Sequence, residues 1–441
     1  MGNSACAPAC NQGRMNIGLG PNAGCSITTG GCNIFMGQDA GQYVTSGENN
    51  VILGTNAGSY PSVTNDIDYS VFIGYEAGKC VKGACNIAIG HNAMYKVCTG
   101  QNNIALGHLS GGASGTHASG TGSDNVSIGN QAGKALTSGS NNIAIGAQTM
   151  CLCTTTGTNN VVIGCGAGQR FTSTNNTIAI GHHAMGNAVN TTTNSIAIGP
   201  FAGRNLTSGQ ENIFIGQYTG KCTTDGGANI AIGHQAGCRN VSGINNIYIG
   251  KSSGSTQTAG NRNIAIGMQS LNANSSGHYN SAVGMYSLYA NTTAAYNTAM
   301  GFNALKLANR TADTDGYNTA LGYNAGTTGT NDITTGNKNT LLGASTATAS
   351  AAGTNQTVIG YGASGQADNS VTLGNADITA IYMAQDQGAT VYAAGVDITG
   401  SSGLILENDE TITNSTDGTI LIDGKADFND NAITGYGADL Q

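Results

Sequence analysis

The sequence predicts an all-β chain wound as a parallel β-solenoid, and three observations carry that reading. A glycine closing a short aliphatic triplet recurs from Gly20, Gly37 and Gly54 to Gly374, 21 times in all. Twelve of the 20 spacings are 17 residues, six of them unbroken between Gly199 and Gly301. Self-similarity at a fixed short period is the mark of a stacked repeat. The composition agrees: Gly numbers 69, Trp is absent and only 9% of residues are charged, against about 25% in ordinary globular domains. Aliphatic triplets are nevertheless spread evenly along the chain, which a disordered polymer would lack.

Residues 1–14 form a short N-terminal segment, "MGNSACAPACNQGR", with no apolar run of the signal-peptide kind. No stretch of eighteen apolar residues occurs, so no helical membrane insertion is expected. Residues 15–375 are the repeat rod. Each unit reads close to G-x-x-A-G-x-x-x-T-[ST]-G-x-N-N-I-A-I. The residue before the marker glycine is Ile, Leu, Val or Met in all 21 units; three before it, 16 are Ile or Val; four before it, 16 are Asn. Seventeen residues are too few for a helical hairpin. They suit one solenoid turn with a strand at N-I-A-I, a glycine corner, and a second short strand near x-x-A-G. Stacked at about 4.8 Å per turn, 21 turns reach roughly 100 Å.

In such a stack every consensus position becomes a column. "TSGSNNIAIG" (Thr137 to Gly146) illustrates the expected roles. Ile143 and Ile145 fill the interior, Asn142 joins an amide ladder, and Gly146 turns the corner. Alternation then turns Ala144 outward, together with Ala105, Ala179, Phe214 and Ala231. An apolar outward column would form a large exposed patch, so these residues are the expected contacts between copies of the chain. From Gly284 to Gly360 the first strand position becomes Ser281, Thr298, Thr319, Thr340 and Thr357, which suggests a more polar interior.

The remaining 376–441 is acidic: residues 375–441 hold 11 of the 23 acids and one of the 15 basic residues. It is expected to be a small β-rich segment for attachment, capping or trimerisation. With no basic stripe, no nucleic-acid partner is expected.

Several motifs imitate chemistry. "GYEAGKC", "GNQAGKA" and "GQYTGKC" are one residue short of a phosphate loop and lack Ser or Thr after Lys79, Lys134 and Lys221. His91, His108, His182 and His234 follow marker glycines, where three-fold symmetry could gather imidazoles around a metal, but the column also holds Tyr, Gln, Pro and Met. The 12 Cys lie at or before Cys238, without a paired C-x-x-C metal spacing. Thr28, Thr45, Thr137, Thr155, Thr172, Thr207, Thr224 and Thr258 raise ice binding, yet a glycine follows in the same loop. No nucleophile–base–acid set recurs. The reading is therefore no enzyme, no cofactor and no metal. Insertions between Gly54 and Gly74, Gly107 and Gly129, and Gly301 and Gly343 emerge as loops, where recognition residues concentrate; Tyr60, His117 and Tyr317 are the receptor-loop candidates.

The units "NIAIG", "NTALG" and "NSIAIG" resemble the head repeats of trimeric autotransporter adhesins of the YadA type. That resemblance implies a left-handed β-roll assembled as a homotrimer. The longer unit "GYNAGTTGTNDITTGNKNTLLG" (Gly322 to Gly343) is similar to repeats of tailed-phage fibres, especially marine ones. "NSVTLGNADITAIYMAQDQGATVYAAG" and "LILENDETITNSTDGTILIDG" look like the distal parts of such fibres. A Sec signal, a coiled-coil stalk and a membrane anchor, which the autotransporters need, are not recognisable. The expected function is thus a virion fibre, extracellular after release, that joins other virion proteins and touches a host-surface glycan or protein. A bacterial cell-surface adhesin or extracellular filament subunit is the alternative.

Overall fold

The structure, a computed structural model, describes residues 15–60, 67–112, 120–311 and 315–382. The chain divides into two compact units, Met1–Thr379 and Ala380–Gln441. Residues 1–14, His117 and nearly all of the acidic 376–441 segment lie outside the described residues.

Within the first unit, 21 three-residue strands run from β1 (Ile17–Leu19) to β21 (Val371–Leu373). Each pairs in parallel, in register, with its sequence neighbours: Ile143 lies opposite Val161, Ala144 opposite Val162 and Ile145 opposite Ile163. The result is one parallel β-solenoid sheet, whose 20 steps rise about 96 Å at about 4.8 Å each. The repeat makes this cheap, because each turn presents the next with the same backbone groups. Ile143 N donates to Asn160 O at 2.8 Å, and Gly146 N to Ile128 O at 2.8 Å.

The second strand expected near x-x-A-G does not form. Those residues are turns, with left-handed backbone at the second position after the marker (Gln148, φ +58) and usually at the fourth. Two left-handed corners so close together leave no room for an extended segment.

The interior reverses the expected assignment of the strand triplet. Ala105, Ala144, Ala179, Phe214 and Ala231 are all buried inside the solenoid, and none is an outward contact. Ile143 is 37% exposed and Ile145 half-buried on the outside. Asn142 explains the parity. Its Nδ2 donates to Asn125 Oδ1 at 3.1 Å and to Gly157 O at 3.0 Å, and both acceptors lie inside. With Asn142 inward, alternation sends Ile143 out, Ala144 in and Ile145 out. Around this turn the buried residues are Leu136, Asn142, Ala144, Thr149 and Met150, with Ala144 the one strand side chain among them. For the same reason Ser281, Thr298, Thr319, Thr340 and Thr357 leave the interior unchanged. They stand in the outward first position of β16 (Ser281–Val283) to β20 (Thr357–Ile359), and the interior partners there remain apolar.

The asparagine ladder is as expected and fully bonded. Asn229 takes Asn212 Oδ1 with both its backbone N (3.1 Å) and Nδ2 (3.2 Å), and Nδ2 also reaches Gly243 O at 2.8 Å. Asn246 N then donates to Asn229 Oδ1 at 3.0 Å, passing the pattern on. Gly146 has φ +124, and a Cβ there would meet Gly164 C at 2.9 Å, so its corner admits glycine alone. Larger interior residues are accommodated locally. The Phe214 ring fills the space over Gly220, where a Cβ would come within 2.6 Å of Cε1. The apolar interior forms two clusters, Ala23 to Ala105 and Leu136 to Ala363. Between them Ser127 takes the middle strand position, its hydroxyl without a partner.

Two substitutions separate these roles. Ala144→Asp buries a charge with no counter-ion and should cost about 3 kcal/mol or more. Asn229→Ala strands ladder groups and should cost about 1–3 kcal/mol. Denaturant unfolding followed by circular dichroism reads both, and an unchanged midpoint for Ala144→Asp would return that residue to the surface.

Candidate binding surfaces

The outward strand positions form two columns on one sheet face. The third-position column is apolar in every strand, from Leu19 through Ile145, Ile215 and Ile266 to Leu373. Its members are half-buried or exposed. The first-position column is Ile or Val through β15 (Ile264–Ile266), Ser or Thr from Ser281 to Thr357, and Val again at Val371. Parallel sheets are ordinarily covered on both faces. Here one face packs the interior, while nothing within the described chain covers the other. Two apolar columns from β1 to β15, about 67 Å by 10 Å, and a single column beyond come to roughly 800 Å², above the roughly 300–600 Å² of the largest patch on a typical monomer.

A second set of columns lies at the turns and carries aromatic and basic side chains. Tyr75, His91 and His108 follow one another at ring-centroid distances of 5.2 Å. Phe201 stacks on Tyr218 at 5.2 Å and 4°, with Arg204 over Phe201 and Lys221 over Tyr218. Burial, then neighbouring His182 and Arg204, pushes the His183 pKa down, so the ring in this cluster favours its neutral form. Among the described residues no group of three His, Cys, Asp or Glu could hold a metal. The threonine column spends its hydroxyls on the next turn's backbone. Thr28 Oγ1 donates to Thr45 O at 3.1 Å and Thr207 Oγ1 to Thr224 O at 2.9 Å, which does not leave the free flat array that ice recognition wants.

Two surface grooves stand out. The first, of 470 Å³, is lined by Lys221, Cys222, Gln235, Cys238, Arg239, Ser255 and Thr256. Cys222 N donates to Cys238 O at 2.9 Å, so these cysteines stand on adjacent turns. The second, of 270 Å³, lies beside Tyr279 and Tyr296. Of the expected receptor residues, Tyr317 is exposed and stacks on Tyr296, while Tyr60 is half-buried with Lys82 Nζ 5.4 Å from its ring centre. They belong to separate surfaces. Lys79, in one phosphate-loop imitation, pairs with Glu76. The aromatic columns were missed at the sequence level, although Tyr279, Tyr296 and Tyr317 share a repeat position that could have flagged them.

No protein-family model matches this chain, and no curated protein is significantly similar to it.

The thiols give a direct check on burial. Burial raises the pKa of Cys80, Cys151 and Cys238, so each holds less thiolate at neutral pH than an exposed thiol. Iodoacetamide at pH 7.5 should therefore label Cys32, Cys85 and Cys165 first, and those three only as pH rises. Peptide mass spectrometry reads the order, and uniform labelling would contradict it.

Proposed function

We propose that the chain is the shaft-forming subunit of a fibre, a structural virion appendage that assembles as a homotrimer and adheres to a host surface. The single observation that carries the proposal is the apolar ribbon of outward strand positions. Its area of roughly 800 Å² per chain matches the roughly 800 Å² per partner of a standard stable interface. Its regular spacing suits a partner built on the same repeat, which a second copy supplies at every turn. Three copies around a common axis would each turn this face inward and cover it. The contact residues then become the flanking isoleucines, such as Ile143, Ile215 and Ile232, in place of the alanine column.

The virion setting rests on the likeness of residues 322–343 and 369–395 to phage fibre segments, and an acidic C-terminal segment or another virion protein would provide attachment. A rigid trimeric shaft presents each surface loop in three copies, so weak single contacts add up to firm adhesion.

Light scattering of the purified chain should return three times its 44.1 kDa mass, and negative-stain electron microscopy should show rods. Ile215→Asp with Ile232→Asp should yield monomers that keep their strand signal. A monomeric wild type, or a double variant of unchanged mass, would overturn the assembly.

A further inference from the structure

We infer that the groove lined by Ser276, His278, Tyr279, Thr293, Tyr296 and Asp315 binds a linear neutral oligosaccharide, gripped through hydrogen bonds rather than by ring stacking. This rests on the adhesive reading above and specifies its ligand.

The tyrosine rings decide the manner of binding. Arg262 covers one face of Tyr279 at 5.3 Å, and Tyr296 covers the other at 5.1 Å with the rings 6° apart. Tyr296 is itself closed on its second face by Tyr317, at 5.0 Å and 10°. No face of Tyr279 or Tyr296 remains for a sugar ring to stack on, or for a cation to sit over. What these exposed side chains offer the groove is their edges, the Tyr296 hydroxyl and the O–H of Tyr279, whose oxygen already accepts from the Arg262 guanidinium. Ring edges carry partial positive charge and favour oxygen over a cation.

The polar groups complete a donor–acceptor pair. His278 Nδ1 accepts from Asn261 N at 3.0 Å, so the neutral ring carries its hydrogen on Nε2 as a donor. Asp315 lies one turn beyond Ala295, bridged to it in parallel, and accepts the Tyr317 hydroxyl at 3.4 Å through Oδ2. A carboxylate accepts more bonds than one. A sugar hydroxyl both donates and accepts, and matches an acceptor and a donor lying along one groove. A sialylated or sulfated ligand would instead meet the Asp315 charge unfavourably.

The rungs are distinctive in a second way. The outward first strand position changes from Ile264 to Ser281, Thr298 and Thr319 where the tyrosine ladder begins. The first outward column there carries hydroxyls in place of isoleucine, while Val283, Met300 and Leu321 keep the third column apolar. The groove runs across turns stacked at about 4.8 Å, which suits a linear chain lying along the stack.

The test is a glycan array bearing linear maltose-, cellulose- and mannose-type hexasaccharides beside sialylated and sulfated glycans, probed with fluorescent full-length protein. Wild type should retain neutral hexasaccharides. Asp315→Asn should lose about tenfold in affinity and Tyr296→Phe about threefold, from the loss of one charged and one neutral hydrogen bond. Tyr296→Phe keeps the ring stack, and an unchanged melting curve excludes misfolding as the cause. Retention confined to anionic glycans, no retention of neutral ones, or equal affinity in Asp315→Asn would overturn the assignment. Host-cell adhesion separates the two levels. A trimer that adheres equally well with Asp315→Asn sinks the groove alone, whereas a chain that neither assembles nor adheres sinks the adhesive reading itself.

Discussion

A buried amide in nearly every turn decides what the other side chains of that turn can do. Where Asn212, Asn229 and Asn246 follow one another, each carboxamide oxygen receives two donors from the next turn, and each carboxamide nitrogen reaches a glycine carbonyl across the loop. An amide taken from water needs all of these bonds, since an unmet one costs about 1–3 kcal/mol. The ladder therefore locks the register between turns and the direction of the strand that follows. Ser70, Thr177 and Ser195 substitute for asparagine in it and still accept or donate through backbone and hydroxyl groups.

From this constraint the distribution of apolar surface follows. The interior is narrow, with small residues in most inward positions, and admits Phe214 or Tyr248 only where glycines make room. The aliphatics of the first and third strand positions go outward, while Ile52, Leu206, Leu271 and Met150 are among those that fill the interior.

The surface is graded along the stack rather than uniform. Paired aliphatics mark β1 to β15 most densely, basic and aromatic columns collect at the turns, and hydroxyls replace the first aliphatic column from Ser281 to Thr357. The repeat makes such grading easy, because a change in one column leaves the interior columns untouched. The interior and the outer surface can therefore vary independently along the same stack.

Much of this was legible in the residues. The 17-residue period, the marker glycines with positive φ and the asparagine ladder follow from spacing and residue chemistry alone, because each depends only on what one turn must repeat. The face of the triplet was not legible. Ile-Ala-Ile reads equally well with either parity, and size favours burying isoleucine. Tyr279 and Tyr296 sit 17 residues apart, but nothing local says that their ring faces are already taken. The sequence by itself determined that the chain stacks, and with what period. The closed tertiary turn decided which side of each strand faces in, because only there does the asparagine amide find its partners.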